Sequence, residues 1–81
     1  MYSHSFDRPV KFMQNPTLTR HIASVDEALY FLEHRWLFVE GAAHKEAVRT
    51  CREVLGGKGS NLKAKDAFLR ALEEAQYQLV E

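Results

Sequence analysis

The sequence predicts an α+β domain: an N-terminal β-hairpin followed by three α-helices packed on it, in the order β-β-α-α-α. Three observations predict it. Up to Ser24 apolar and polar residues alternate, the period of two of a half-buried strand. Beyond Ser24 apolar residues recur every three or four positions, the period of an amphipathic helix. The change falls on a serine with a glutamate three positions later, and glycines divide the helical part.

Residues 1–5, MYSHS, carry no period and are expected to form a flexible N-terminus, with 6–81 as a single α+β domain. Val10 and Phe12 face one side of an extended segment, Lys11 and Met13 the other. The run QNPT supplies turn chemistry, after which Leu18, Arg20 and Ile22 alternate with Thr19, His21 and Ala23. Pro9 suits a strand start and Pro16 the turn. Ser24 and Glu27 form a capping box for a helix over 25–35. Its inner side carries Val25, Ala28, Leu29, Leu32 and Trp36, and His34 and Arg35 suit its negative end. The run LFVEG, 37–41, reads as an extended connector tucked onto the core. A second helix over 42–55 presents Ala43, Ala47, Cys51 and Val54, and Gly56 and Gly57 end it. A third, over 61–79, is capped by Ser60 or Asn61. Its stripe is Ala64, Ala67, Phe68, Ala71, Leu72, Ala75 and Leu79, and the alanines let a neighbouring helix approach closely. Val10, Phe12 and Ile22 are expected to meet Leu29, Leu32, Cys51, Phe68 and Leu72 in one core.

Eighty-one residues make one domain with a modest core. Eleven Lys and Arg balance eleven Asp and Glu, so the chain lacks the basic excess of a general nucleic-acid binder. The single cysteine, Cys51, cannot form an internal disulfide, which suits a reducing compartment. The longest apolar runs, LYFL and WLFV, are far too short to span a membrane. A cytoplasmic protein without a membrane partner is therefore the expectation. A two-stranded sheet leaves its edges open and is marginal alone, so a homodimer is expected, through sheet edges or the aromatic side of the first helix. Tyr30 and Phe31 lie off the main stripe of that helix; they either pack against the hairpin or form the candidate partner surface, for a second copy or another protein.

The stretch GGKGS, 56–60, resembles the start of a phosphate cradle. A phosphate loop, however, follows a parallel strand and places its lysine directly before a hydroxyl residue. Here a helix precedes the glycines and Lys58 sits between Gly57 and Gly59, so the run reads as one helix ending and the next beginning. Arg49, Arg52, Lys58, Lys63 and Lys65 are nevertheless candidate anion or nucleic-acid contacts around that junction. Glu46 and Glu53 stand at pairing distance along the second helix and no aromatic residues interleave, which favours a solvated helix face. His44 and Cys51, seven apart on one helix face, are a candidate metal or redox pair. A structural zinc site takes three or four ligands, and His4, His21 and His34 make no tight ligand pair. No catalytic constellation and no cofactor fingerprint stands out. The expected function is a non-enzymatic protein-interaction or self-associating module. The alternatives are a weak nucleic-acid or anion binder at the junction of the second and third helices, and a small metal or redox sensor at His44 and Cys51.

The order and spacing of several pieces resemble a known family. Phe6 with Pro9 and Val10, then DEAL and Trp36, then Ala47, Cys51, Leu55 and Gly57, then AKDAFLRALEEA at 64–75, are similar to the small bacterial family called domain of unknown function 982. The resemblance implies a compact α+β domain with helices packed on an N-terminal hairpin. It assigns no activity and carries over no catalytic residue. The chain departs from the family pattern at Leu37, where similar sequences have proline, and at Lys65, where they have arginine. Lysine lacks the planar fork that binds an anion through two bonds.

Overall fold

The computed structural model describes residues 4–36 and 40–80. Their elements run β1 (Ser5–Asn15), β2 (Leu18–Ser24), α1 (Val25–His34), α2 (Ala42–Leu55), α3 (Asn61–Glu74) and β3 (Gln78–Val80). The fold is α+β, with the two N-terminal strands and three helices in the expected order. The sheet has three strands rather than two, in the order β2-β1-β3, with both neighbours antiparallel to β1. Ser5 already belongs to β1, and the His4 carbonyl accepts a hydrogen bond from the Val25 amide at 2.9 Å. The connector expected over 37–41 lies mostly outside the described residues.

The hairpin forms where turn chemistry meets alternation. Asn15 Oδ1 accepts hydrogen bonds from the Thr17 amide and hydroxyl at 2.9 and 3.0 Å, which closes the turn around Pro16. Val10 then pairs with Ile22 and Phe12 with Arg20. Phe6, Val10 and Phe12 are buried. Arg8 shares their parity but is exposed, where the pairing shifts register between Ser5 and Val10.

Each helix begins and ends for a local reason. Ser24 Oγ accepts from the Glu27 amide at 3.2 Å, while Glu27 Oε1 accepts from the Ala23 amide at 2.7 Å, a reciprocal cap at the start of α1. Ser60 Oγ does the same for the Lys63 amide at the start of α3. No side chain of its own caps α2. Glu74, from the end of α3, supplies the acceptor for the Ala43 amide at 3.2 Å. A Cβ at Gly41 would lie 2.3 Å from that Glu74 oxygen, so the cap requires glycine there. At the end of α2 the Gly57 amide bonds to the Val54 carbonyl and the Lys58 amide to the Glu53 carbonyl, with Gly57 at φ 94°. These paired bonds are a Schellman motif, and they settle GGKGS as a helix stop.

α3 ends five residues before the expected 79, by the same device. The Gln76 amide bonds to Glu73 and the Tyr77 amide to Leu72, with Gln76 at φ 64°. The turn throws Tyr77 into the core and leads the chain into β3, where Leu79 pairs with Phe12 and is partly exposed rather than part of a helical stripe. The reason is tertiary. The Tyr77 ring lies 5.2 Å from Phe12, 6.0 Å from Phe31 and 5.4 Å from Trp36, all edge-on. Such aromatic pairs add about 0.5–1.5 kcal/mol each beyond their area burial.

α1 and α3 lie on one face of the sheet, and α2 packs against both helices. Their shared core contains the expected Val10, Phe12, Ile22, Leu32, Cys51, Phe68 and Leu72, with Leu29 packed against it from a partly buried position. Ala47, Ala64 and Ala71 are fully buried between the helices, where small side chains allow close approach.

Candidate functional site

The described residues carry one exposed aromatic platform, and it sits between α1 and β2. Tyr30 is 54% exposed. His34, one helical turn later, stacks on it with ring centroids 4.8 Å apart, and the Arg35 guanidinium lies 5.9 Å from its centroid. Below the platform runs an open groove of about 410 Å³ with Ile22 and Phe31 as its floor, His21 on the β2 side, and Asp26 and Arg35 toward the two ends of α1. β2 is an outer strand, and along its free side it pairs with no other strand among the described residues. An apolar floor, an aromatic rim and unpaired strand edge make a surface suited to another polypeptide.

Phe31 does not share the surface expected of it. It is 2% exposed and packs edge-on against Phe12, Phe68 and Trp36. Both residues lie off the first stripe in sequence, and α1 is broad enough on its buried side to take Phe31 as well. Asp26, His34 and Arg35, the polar members of the site, escaped the sequence reading. The four-residue spacing of Tyr30 and His34 is the signal that marks them.

The basic residues are dispersed. Arg49 pairs along its own helix with Glu46 and, at 3.6 Å, with Glu53. Its hydrogen bond holds the Glu46 carboxyl below the ordinary range, and Glu46 in turn raises the Arg49 guanidinium. Arg52 reaches across to Glu33 of α1. Lys65 bonds to Asp7 of β1 at 3.0 Å and lowers that carboxyl below its usual value. Lys63 joins Arg49 and Arg70 in a groove between α2 and α3, where Glu46, Glu53 and Asp66 match them in number. Lys58 stays in the turn after α2, paired with no carboxylate among the described residues. The five cations thus face several elements and converge on no single surface.

His44 and Cys51 both lie inside. Cys51 is fully buried among apolar side chains, and burial pushes its thiol up to about 12. His44 is 4% exposed, and its Nε2 lies 2.8 Å from the Leu32 carbonyl oxygen. A carbonyl only accepts, so Nε2 is the donor of this bond. The His44 ring packs 4.8 Å from that of Trp36. His44 Nδ1 and Trp36 Nε1 are buried without a hydrogen-bond partner among the described residues. No group of three or more His, Cys, Asp or Glu side chains among the described residues is arranged to hold a metal ion. No helix among them is long and apolar enough to cross a membrane.

Neither a curated protein nor a solved structure matches the chain. A family model does, over residues 8–79, and it spans β1 through the Tyr77 turn into β3. By that match the chain belongs to the family described as protein of unknown function (DUF982).

Proposed function

We propose that the chain is a non-enzymatic protein-interaction or self-associating module of the cytoplasm, working through the face formed by α1 and the free edge of β2. The observation that carries this reading is the exposed Tyr30 platform above an apolar groove, beside the free outer edge of the seven-residue strand β2 among the described residues. Large apolar groups left at a surface mark contact sites. Open strand edges recruit another chain through main-chain hydrogen bonds. The inaccessible Cys51 and the dispersed cations make the metal or redox and nucleic-acid readings weaker.

A photoreactive amino acid placed at position 30 tests it in the cell of origin. Irradiation should give discrete covalent adducts with a protein, whether another species or the chain itself. The same group at Lys58, in the α2–α3 turn, should give none. Equal adduct patterns at the two positions would remove the reading.

A further inference from the structure

Resting on that reading, we propose that the occupant of the α1/β2 face is a second copy of this chain, docked about a twofold axis with β2 antiparallel to β2 and α1 antiparallel to α1. Three features of the face point to a copy of itself.

The first is the charge order along α1. Asp26 and Glu27 stand in its first turn, and His34 and Arg35 at its end. A twofold axis passing near Tyr30 reverses the second helix, so the acidic turn of each copy meets the basic end of the other. Oppositely charged ends favour this orientation, whereas a parallel pairing would set like charges together. Glu33, an acid in the last turn of α1 that would disturb the pattern beside His34, is taken up by Arg52.

The second is the strand. β2 is seven residues long, contains no proline and no lysine, and keeps one side unpaired among the described residues. Proline and lysine are the usual guards of an edge against pairing. Arg20, the one cation of the strand, is turned back to Gln14 of β1 by a hydrogen bond of 2.5 Å. The opposite edge of the sheet, β3, has only three residues and offers little to pair with.

The third is the position of Tyr30. It lies in the middle of α1, so the axis brings the two rings face to face where the centre of an interface is most fully dried. Joining β2 to β2 makes a continuous six-stranded sheet with the four sheet-covering helices on one side. The contact is small, and it holds a dimer in the micromolar range rather than a permanent one.

Sedimentation velocity on the full chain, from low to high micromolar protein, tests the proposal. The wild type should move from monomer to dimer. Tyr30→Ala and Asp26→Lys should each weaken the dimer at least about tenfold. Adding Arg35→Glu to Asp26→Lys should restore it, because the charge order is inverted on both partners. Leu62→Ser, at an exposed position of α3, should leave association unchanged. Amide hydrogen exchange on the unaltered chain supplies a readout that needs no variant: β2 amides should gain protection as concentration rises. A wild type that stays monomeric throughout overturns the proposal, as does a dimer indifferent to positions 26 and 30. In either case crosslinking from position 30 to a different protein would keep the interaction reading and remove only the second copy.

Discussion

Gln76 holds a backbone conformation that L-residues other than glycine and asparagine seldom adopt, at φ 64°. It stays there because Tyr77, its neighbour, is anchored in the ring cluster. Gln76→Gly relieves the conformation and should raise the free energy of unfolding by about 0.5–1 kcal/mol in urea titrations. A loss of stability would show that the side chain matters more than the backbone. Cys51 gives a pH prediction. The thiol titrates near 9.0 when free and is pushed up to about 12 in the fold. The folded state therefore binds the proton more tightly. The stabilisation is complete below the unfolded value and is lost as pH rises from about 9 toward 12. Between pH 8 and 10 the wild type should lose about 1 kcal/mol more than Cys51→Ala does over the same interval. Parallel pH profiles for the two proteins would contradict the assignment. Native Cys51 should also resist alkylation until the chain unfolds.

At the scale of elements, the helix termini are what determine where the pieces lie. α1 and α3 begin at their own serines, but α2 borrows its cap from Glu74, and Gly41 leaves room for that carboxylate. The negative side chain also sits favourably at the positive end of α2. Gly41→Ala displaces only the flexible end of Glu74, so its cost is the lost cap rather than the overlap. Gly41→Ala and Glu74→Ala should each lower stability by about 1 kcal/mol. The double variant should lose little more than either alone, because both remove one interaction. Additive losses would mean that Gly41 is needed for another reason. Gly57 at φ 94° has open space around its missing Cβ, so Gly57→Ala acts through backbone strain alone and should cost about 1 kcal/mol in the same assay.

For the whole molecule, the consequential feature is that the C-terminus returns to the sheet. Among the described residues β1 becomes the central strand, and β2 keeps its outer side free along its length. Tyr77 closes the bottom of the core while Leu79 rides on the surface of the new strand. Tyr77→Ala should therefore cost about 3 kcal/mol, as large aromatic truncations in cores do. Leu79→Ala should cost less than about 1 kcal/mol, as surface substitutions do. A helix continuing to 79 would give Leu79 the larger value, so thermal or urea unfolding of the two variants decides between the two endings. The same return of the chain leaves the α1/β2 side uncovered.

The sequence by itself determined the periods, and with them the hairpin, the three helices and most of the core. It also determined the stops written in single residues: Ser24, Asn15 with Pro16, the glycines after α2, and Ser60. These are legible because each depends on neighbours within a few positions along the chain. Tertiary structure alone decided that α3 ends at Glu74, that Phe31 turns inward while Tyr30 stays out, that Glu74 caps α2, and that the cations disperse among separate partners. The alanine-rich stripe of α3 runs on without a break toward Leu79, and nothing local forbids more helix. The helix stops because Tyr77 gains more by meeting rings from β1 and α1, more than 40 residues away in the chain, than by completing another turn.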